Sequence, residues 1–274
     1  KKIGDAIREA DELSTAIPNV SLYSAGQEAS IVSLLLENIN PEKPQVLYAT
    51  ENNNYAAEIL WSKLKENISQ FKRLENFQIL NTVVGKMSGI ISDSEVIKRF
   101  GLSPMTPDST RAILVEAFNK ILISRITLPF YTKGIDVFIE KDNLLPFEEA
   151  KLFGHNAIHA ALGYVAYQKG YRIMSEISQD HQLLDFGLKT FLDESGESLI
   201  KKYANLGEEL FTPNGWLNYS KDLLTRMVNP FLHDEILRVC RDPQRKLSYH
   251  DRLIGTMRLA FEYNIEPKNL ARAS

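Results

Sequence analysis

Lys151, His155, Asn156 and His159 fall within nine residues, KLFGHNAIH. An amine that can give or take a proton, an amide that can hold a negative oxygen and two imidazoles form a set suited to proton transfer at an oxygen atom. The two histidines also stand four apart, a spacing that can chelate a metal. The zinc-hydrolase pattern requires glutamate directly after the first histidine, and here that position is Asn156, so the general base of such a site is missing and no metal is expected.

The element that must carry these groups reads as one helix over 146–169. Pro146 suits a first helical turn and Gly170 a C-terminal stop. At about 100° per residue, Lys151 at zero puts His155 near 40°, His159 near 80° and Asn156 near 140°, all on one face. The other positions are nearly all apolar or small, among them Leu152, Phe153, Ala157, Ile158, Ala161 and Leu162. A helix apolar round most of its circumference is a buried one. Polar groups on its remaining stripe must find partners, and each one left unpaired costs about 1–3 kcal/mol. Such a stripe suggests a site. Periodicity alone leaves open the alternative that these side chains bond neighbouring helices or reach solvent.

Ahead of this helix the chain is α/β in character. Gly4 to Glu12 reads as the tail of a helix and Leu13 to Ile17 as a strand, so the chain is expected to open inside a domain. Gln45–Thr50 and Phe77–Val84, the second following the charged stretch near Lys72–Glu75, read as further strands. A helical pattern at Tyr55, Ile59, Leu60 and Leu64 lies between them, an alternation that predicts a parallel sheet. Two short β-like runs occupy 112–124, and from Pro146 onward helical spacing dominates. The expected organisation is therefore an α/β part at 1–92 and a mainly helical part at 93–274. Trp216 is expected to anchor core or loop, and the charge-rich 238–252 segment to be an ion-paired surface.

Composition narrows the partners. With 274 residues, 44% hydrophobic, the chain can bury a substantial core, and a formal charge of −3 offers no basic stripe for a nucleic acid. The apolar runs at 112–123 and 157–167 are too short for a bilayer, the first being broken by Glu116, Asn119 and Lys120. Cys240 is the single cysteine, which rules out an internal disulfide and fits a reducing cytoplasm. Oligomeric state is not legible at this level.

The spacing K-x4-N-x2-H at 151–159 resembles the signature of the polyol-specific long-chain dehydrogenases, the mannitol dehydrogenase family. The likeness extends to DNLLPFEEAKLFGHNAIHAALGY (142–164), to NPFLHDEILRVCRDPQRKLSYHDRL (229–253), to TENN (50–53) after a strand, and to VEAF (115–118). It runs in order from about Leu13 to the end of the chain. The resemblance implies a partial Rossmann-like dinucleotide-binding sheet followed by a helical substrate domain. It implies reversible hydride transfer between a nicotinamide and a sugar alcohol, its phosphate or a hexuronate, without metal. Lys151 would be the general acid/base, which requires a lysine partly deprotonated near neutral pH, and burial lowers a lysine pKa in that direction. Asn52 and Asn156 would hold the reacting oxygen, His159 the neighbouring hydroxyl and Arg226 the far end of the substrate. The hydride carrier would be NAD, with NADP as the alternative.

Two departures qualify the resemblance. A complete member begins with a strand, a Gly-rich turn and a helix whose N-terminus takes the pyrophosphate. No G-x-G-x-x-G occurs here and Gly4 and Gly26 are isolated, so roughly 80–100 residues of a two-halved dinucleotide fold are expected to be missing and the cofactor-binding residues are unknown. VVGKM (83–87) places Gly85-Lys86 where the family shows an Asp-Arg pair, which leaves substrate identity open; Lys86 either attracts a phosphate or carboxylate or is an ordinary loop lysine. Asn52-Asn53-Asn54 has the simpler reading of a polar turn. The second functional class compatible with the sequence is a non-catalytic sugar-binding relative that has lost the cofactor half.

Overall fold

The computed structural model describes residues 2–67, 74–117 and 120–274. Lys72 of the charged stretch, Phe118 of VEAF and Asn119 lie outside the described residues. The strands are β1 (Glu12–Thr15), β2 (Gln45–Ala49), β3 (Phe77–Val83), β4 (Ser88–Ile91), β5 (Ala112–Val115), β6 (Ile121–Ser124) and β7 (Phe138–Lys141).

The chain divides into two compact units, Lys1–Gly85 with Phe118–Glu148, and Lys86–Ala117 with Glu149–Ser274. This division is interleaved, whereas the sequence suggested a single cut after residue 92. The reason is strand pairing at long range. β6 and β7 join the sheet begun by β1 to β3, while β4 and β5 pair with each other as an antiparallel ribbon.

The first unit is a five-stranded sheet in the order β1-β2-β3-β6-β7. β1, β2 and β3 run parallel, with Thr15 opposite Ala49 and Ala49 opposite Asn81. β6 turns antiparallel to β3, and β7 is parallel to β6. All five residues of β2 are buried, as a central strand covered on both faces demands. Its alternate side chains feed two cores. Leu47 and Ala49 pack with Tyr23, Leu35, Leu60 and Phe77, whereas Val46 and Tyr48 pack with Leu80, Ile121, Ile123 and Phe138. Before β4 this unit holds α1 (Lys2–Glu9), α2 (Ile31–Asn38) and α3 (Ala56–Glu66). The expected alternation of strands at 13–17, 45–50 and 77–84 with helices is observed, the strand boundaries moving by at most two residues.

The second unit is mainly helical. It holds α4 (Ser94–Arg99) and, after α5 (Leu145–Glu149), which but for Glu149 belongs to the first unit, α6 (Ala157–Gln168), α7 (His181–Lys189), α8 (Glu197–Lys202), α9 (Pro213–Met227), α10 (Ile236–Cys240), α11 (Pro243–Lys246), α12 (Ile254–Glu262) and α13 (Lys268–Ala273). Among the described residues no helix is long and apolar enough to cross a membrane. α6 stops as expected, with Gly170 at φ 83° closing the turn after Lys169. α9 starts with Thr212 accepting the Gly215 N–H and Pro213 in the first turn. Trp216, fully buried, is core.

Most of the 238–252 segment is exposed and ion-paired, as expected, but two of its cations depart from that reading. Lys246 and Arg252 are buried. The Lys246 ammonium donates to the carbonyls of Val239 and Arg241, groups that the end of α10 leaves without helical partners. Burial, with the charges of Arg252 and Arg245 behind it, pushes its pKa down to about 8. Arg252 is neutralised by Asp251 at 2.8 Å.

Candidate active site

The segment from Leu145 to Gln168 is helical throughout, but it is not one α-helix. Ala150–Asn156 forms a π turn between α5 and α6. In a π turn the hydrogen bonds span five residues instead of four, so Lys151 and Asn156, about 140° apart on an α-helix, are drawn toward one line. The stripe read from α-helical periodicity is therefore tightened by the departure from it. Isolated π turns of this kind recur at functional sites.

A widened turn leaves carbonyls without helical partners, and here neighbouring hydroxyls supply them. The Phe153 carbonyl accepts Ser195 Oγ at 2.8 Å and Thr256 Oγ1 at 3.3 Å. Ser195 is itself part of a second π turn, Thr190–Gly196, in which the Phe191 carbonyl accepts Trp216 Nε1 at 2.9 Å. Glu194 of the same turn is buried and accepts the N–H groups of Asn269 and Leu270, capping α13.

Lys151, Asn156 and His159 are half-buried, while His155 is buried at 7% exposure. The His155 pKa is held well below 6.5, first by burial and then by the positive charges of His159, Lys151, Arg226 and Arg252. His155 is therefore a neutral ring with the cations Lys151, Arg226 and Arg252 around it. The two imidazoles meet edge to face with centroids 6.2 Å apart. No cluster of three or more His, Cys, Asp or Glu arranged to hold a metal ion is found among the described residues.

His159 has a partner that sequence reasoning did not assign. Its Nε2 lies 2.9 Å from Asp234 Oδ2, and Arg238 Nε donates to the other carboxylate oxygen at 2.9 Å. Burial acts to raise the Asp234 pKa, but the hydrogen bond and charge of His159, together with Arg238, hold it below the ordinary aspartate value. The one available signal was the i, i+4 spacing of Asp234 and Arg238.

Arg226, at the end of α9, makes a two-pronged pair with Glu116. Nε and Nη2 donate to the two carboxylate oxygens at 2.8 and 2.7 Å, and Nη1 donates to Asp222 at 3.2 Å. Glu116 also accepts the Met87 N–H at 2.9 Å. Burial opposes ionisation of Glu116, yet the Arg226 and Met87 hydrogen bonds and the charges of Arg226 and Lys86 keep its pKa low. The planar fork of Arg226 is thus committed to Glu116, and any contact with substrate falls to N–H groups outside it.

Asn52 belongs to the other unit. It is exposed in the turn after β2, next to the buried Glu51. Glu51 accepts Thr15 Oγ1 at 3.0 Å, the Ile17 N–H at 3.1 Å and Tyr23 Oη at 2.6 Å. It therefore ties the C-terminal ends of β1 and β2 together and fixes the turn that bears Asn52. A cavity of about 480 Å³ in this unit, lined by Asp11, Glu12, Pro44, Tyr131 and Gly134, sits at the opposite, N-terminal ends of β1 and β2.

Residues 143–274 match the family model for the mannitol dehydrogenase C-terminal domain. Mannitol-1-phosphate 5-dehydrogenase of Caldanaerobacter subterraneus subsp. tengcongensis is 30% identical over 271 residues, which cover 97% of this chain and 64% of that protein. The Thermoanaerobacter pseudethanolicus enzyme of the same name is 29% identical over 271 residues, 98% of this chain and 64% of that protein. The chain thus spans about 64% of the length of these curated relatives. Among solved structures, a substrate-free D-sorbitol dehydrogenase superposes with a TM-score of 0.77 at 15% identity, covering 99% of this chain and 60% of that one. Pseudomonas fluorescens mannitol 2-dehydrogenase, in ternary complex with NAD and D-mannitol, gives 0.66 at 16% identity with the same coverage. These two likenesses establish a Rossmann-type fold with a helical second part. Residues 143–274 are thus similar to the C-terminal domain of the mannitol dehydrogenase family, and the likeness to its curated relatives extends over nearly the whole chain.

Proposed function

We propose that the protein containing this chain is a metal-independent, nicotinamide-dependent polyol dehydrogenase acting on a sugar alcohol or its phosphate. The observation that carries the proposal is the π turn that gathers Lys151, His155 and Asn156 on one helical segment, one turn ahead of a His159 held by Asp234.

The proton step falls to Lys151, whose amine exchanges a proton with the reacting oxygen. Amide N–H groups of Asn156 and Asn52 stabilise the charge that gathers on that oxygen. His159 takes a neighbouring hydroxyl. The neutral His155, edge to face with His159, adds no positive charge of its own beside Lys151.

The cofactor supplies the hydride and the protein its position. NAD is the carrier named in the complex of the Pseudomonas fluorescens enzyme. A parallel sheet binds dinucleotides beyond the carboxyl ends of its strands, and the residues of this chain that would face one are those just after β1 and β2, Ala16–Asn19 and Thr50–Asn54. No Gly-rich phosphate turn is present within the 274 residues, so the pyrophosphate contacts are not assigned.

The test is a screen of hexitols, hexitol phosphates and hexuronates against NAD(H) and NADP(H) with the full-length protein, following reduced nicotinamide by absorbance. Lys151→Ala should lower turnover by about 10²–10⁴-fold while leaving the far-UV circular dichroism unchanged. Undiminished turnover in that variant overturns the assignment. Polyol binding with no nicotinamide-dependent turnover would mark the non-catalytic relative instead.

A further inference from the structure

His159 carries a hydrogen-bond polarity that its own sequence position does not reveal. Asp234 is buried, with 5% of its side chain exposed, and its two carboxylate oxygens are both engaged, Oδ2 with His159 and Oδ1 with Arg238. Its backbone is anchored as well, because its carbonyl accepts the Met174 N–H at 2.8 Å and the next residue, Glu235, bridges to Ile173. The carboxylate is therefore a fixed group that only accepts hydrogen bonds. The hydrogen between it and His159 must then belong to Nε2. On a neutral imidazole this leaves Nδ1 with a lone pair and no hydrogen.

We infer that Asp234 is a positioning residue that locks His159 as the Nε2–H tautomer, so that Nδ1 accepts a hydrogen bond and the group recognised there is a ligand hydroxyl acting as donor. The inference rests on the reading of His159 as a hydroxyl-binding residue. It adds a direction to that contact. A hydroxyl can satisfy it, whereas a carbonyl or fluorine at the same carbon cannot. A site that depends on one hydrogen bond discriminates strongly against analogues lacking the group, since its own buried polar atom is left unpaired.

The substitution that tests this is Asp234→Asn. Arg238 has only donors, so it will keep the oxygen of the new amide, and the amide NH₂ will face His159. An N–H donor opposite Nε2 requires a lone pair there, which moves the ring proton to Nδ1. The polarity of the contact is thereby inverted while its shape is kept. Arg238→Met is the control, because it retains the carboxylate and should retain the wild-type tautomer.

The first measurement is the long-range ¹H–¹⁵N correlation spectrum of ¹⁵N-histidine-labelled protein, about two pH units above the ordinary histidine pKa of ~6.5. The His159 signals are assigned by their loss in His159→Gln. The expected result is a protonated Nε2 and an unprotonated Nδ1 in the wild type and in Arg238→Met, reversed in Asp234→Asn. The second is the ratio of kcat/KM for a polyol over its analogue fluorinated at the carbon next to the reacting one. This ratio should fall at least about tenfold in Asp234→Asn, the scale of one lost hydrogen bond to a neutral group, through KM more than kcat. A wild-type His159 protonated at Nδ1 overturns the inference, and that measurement stands even if Asp234→Asn does not fold. So does unchanged discrimination in a folded Asp234→Asn. If instead no polyol is turned over with any nicotinamide while the tautomer is as expected, the proposed function fails, and with it the hydroxyl half of this inference.

Discussion

The hydroxyl of Ser195 donates to the carbonyl of Phe153 across 2.8 Å, so that one π turn supplies the hydrogen bond that the other lacks. Ser195→Ala removes the better of the two donors to that carbonyl, leaving Thr256 at 3.3 Å. The expected cost is about 1–3 kcal/mol for a buried group losing its partner, read from urea unfolding. A larger fractional loss in kcat than in expressed, folded protein would tie the π turn to the placement of Lys151.

Gly196 closes the second π turn against the indole of Trp216. A methyl group there would lie 2.2 Å from Trp216 Nε1 and 2.7 Å from the Phe191 carbonyl, the two atoms that bond each other. Gly196→Ala should therefore break that hydrogen bond and overpack the core, lowering stability by about 1–3 kcal/mol. Thermal unfolding followed by tryptophan fluorescence will record the loss. An unchanged melting temperature would contradict the packing described.

His155 makes stability depend on pH in a defined window. Its folded-state pKa lies well below 6.5, so between those two values the unfolded chain binds a proton that the folded chain refuses. Stability then rises with pH through this window and falls on acidification below about 6.5, by up to about 1.4 kcal/mol per pH unit for one such group. The neutral variant His155→Gln should flatten the profile of urea midpoints between neutral pH and about 5. A parallel slope in wild type and variant would refute the assignment.

The Arg226–Glu116 pair predicts a second window at lower pH. The Glu116 pKa is held below 4.5, so the stabilisation is present above the unfolded-state value and is lost as pH falls through the folded one. A double-mutant cycle with Arg226→Met and Glu116→Gln should give a coupling of about 1–3 kcal/mol at neutral pH, vanishing in acid. Coupling that is independent of pH would show that the charges do not act as a pair.

Much of this protein is written locally. VLYA after Gln45 predicts a strand because it is an apolar and aromatic run, and β2 is observed there, buried along its whole length. The helical stretch around Lys151 follows from its apolar circumference and from Gly170, and the residue set Lys151, His155, Asn156 and His159 is legible because four polar side chains stand out on an otherwise apolar element. β4 and β7 were not legible. SGII carries Gly89, and FIEK ends on Glu140 and Lys141, residue types depleted in strands, so neither run marks a strand by composition.

What the tertiary structure alone decided are the features whose partners lie far along the chain. The π turn exists where hydroxyls of Ser195 and Thr256, 42 and 103 residues away, satisfy the Phe153 carbonyl, and no local propensity encodes a donor at that distance. The same holds for Asp234, 75 residues from His159, and for Glu116, 110 residues from Arg226. β6 and β7 joined the first sheet because strand edges pair by position in space. Lys246 and Arg252 look like solvent-facing charges in a linear reading, and only the carbonyls at the end of α10 and the carboxylate of Asp251 make their burial tolerable. The candidate residues were thus visible in the sequence, while the long-range hydrogen bonds around them, such as His159 with Asp234 and Arg226 with Glu116, were set by the fold.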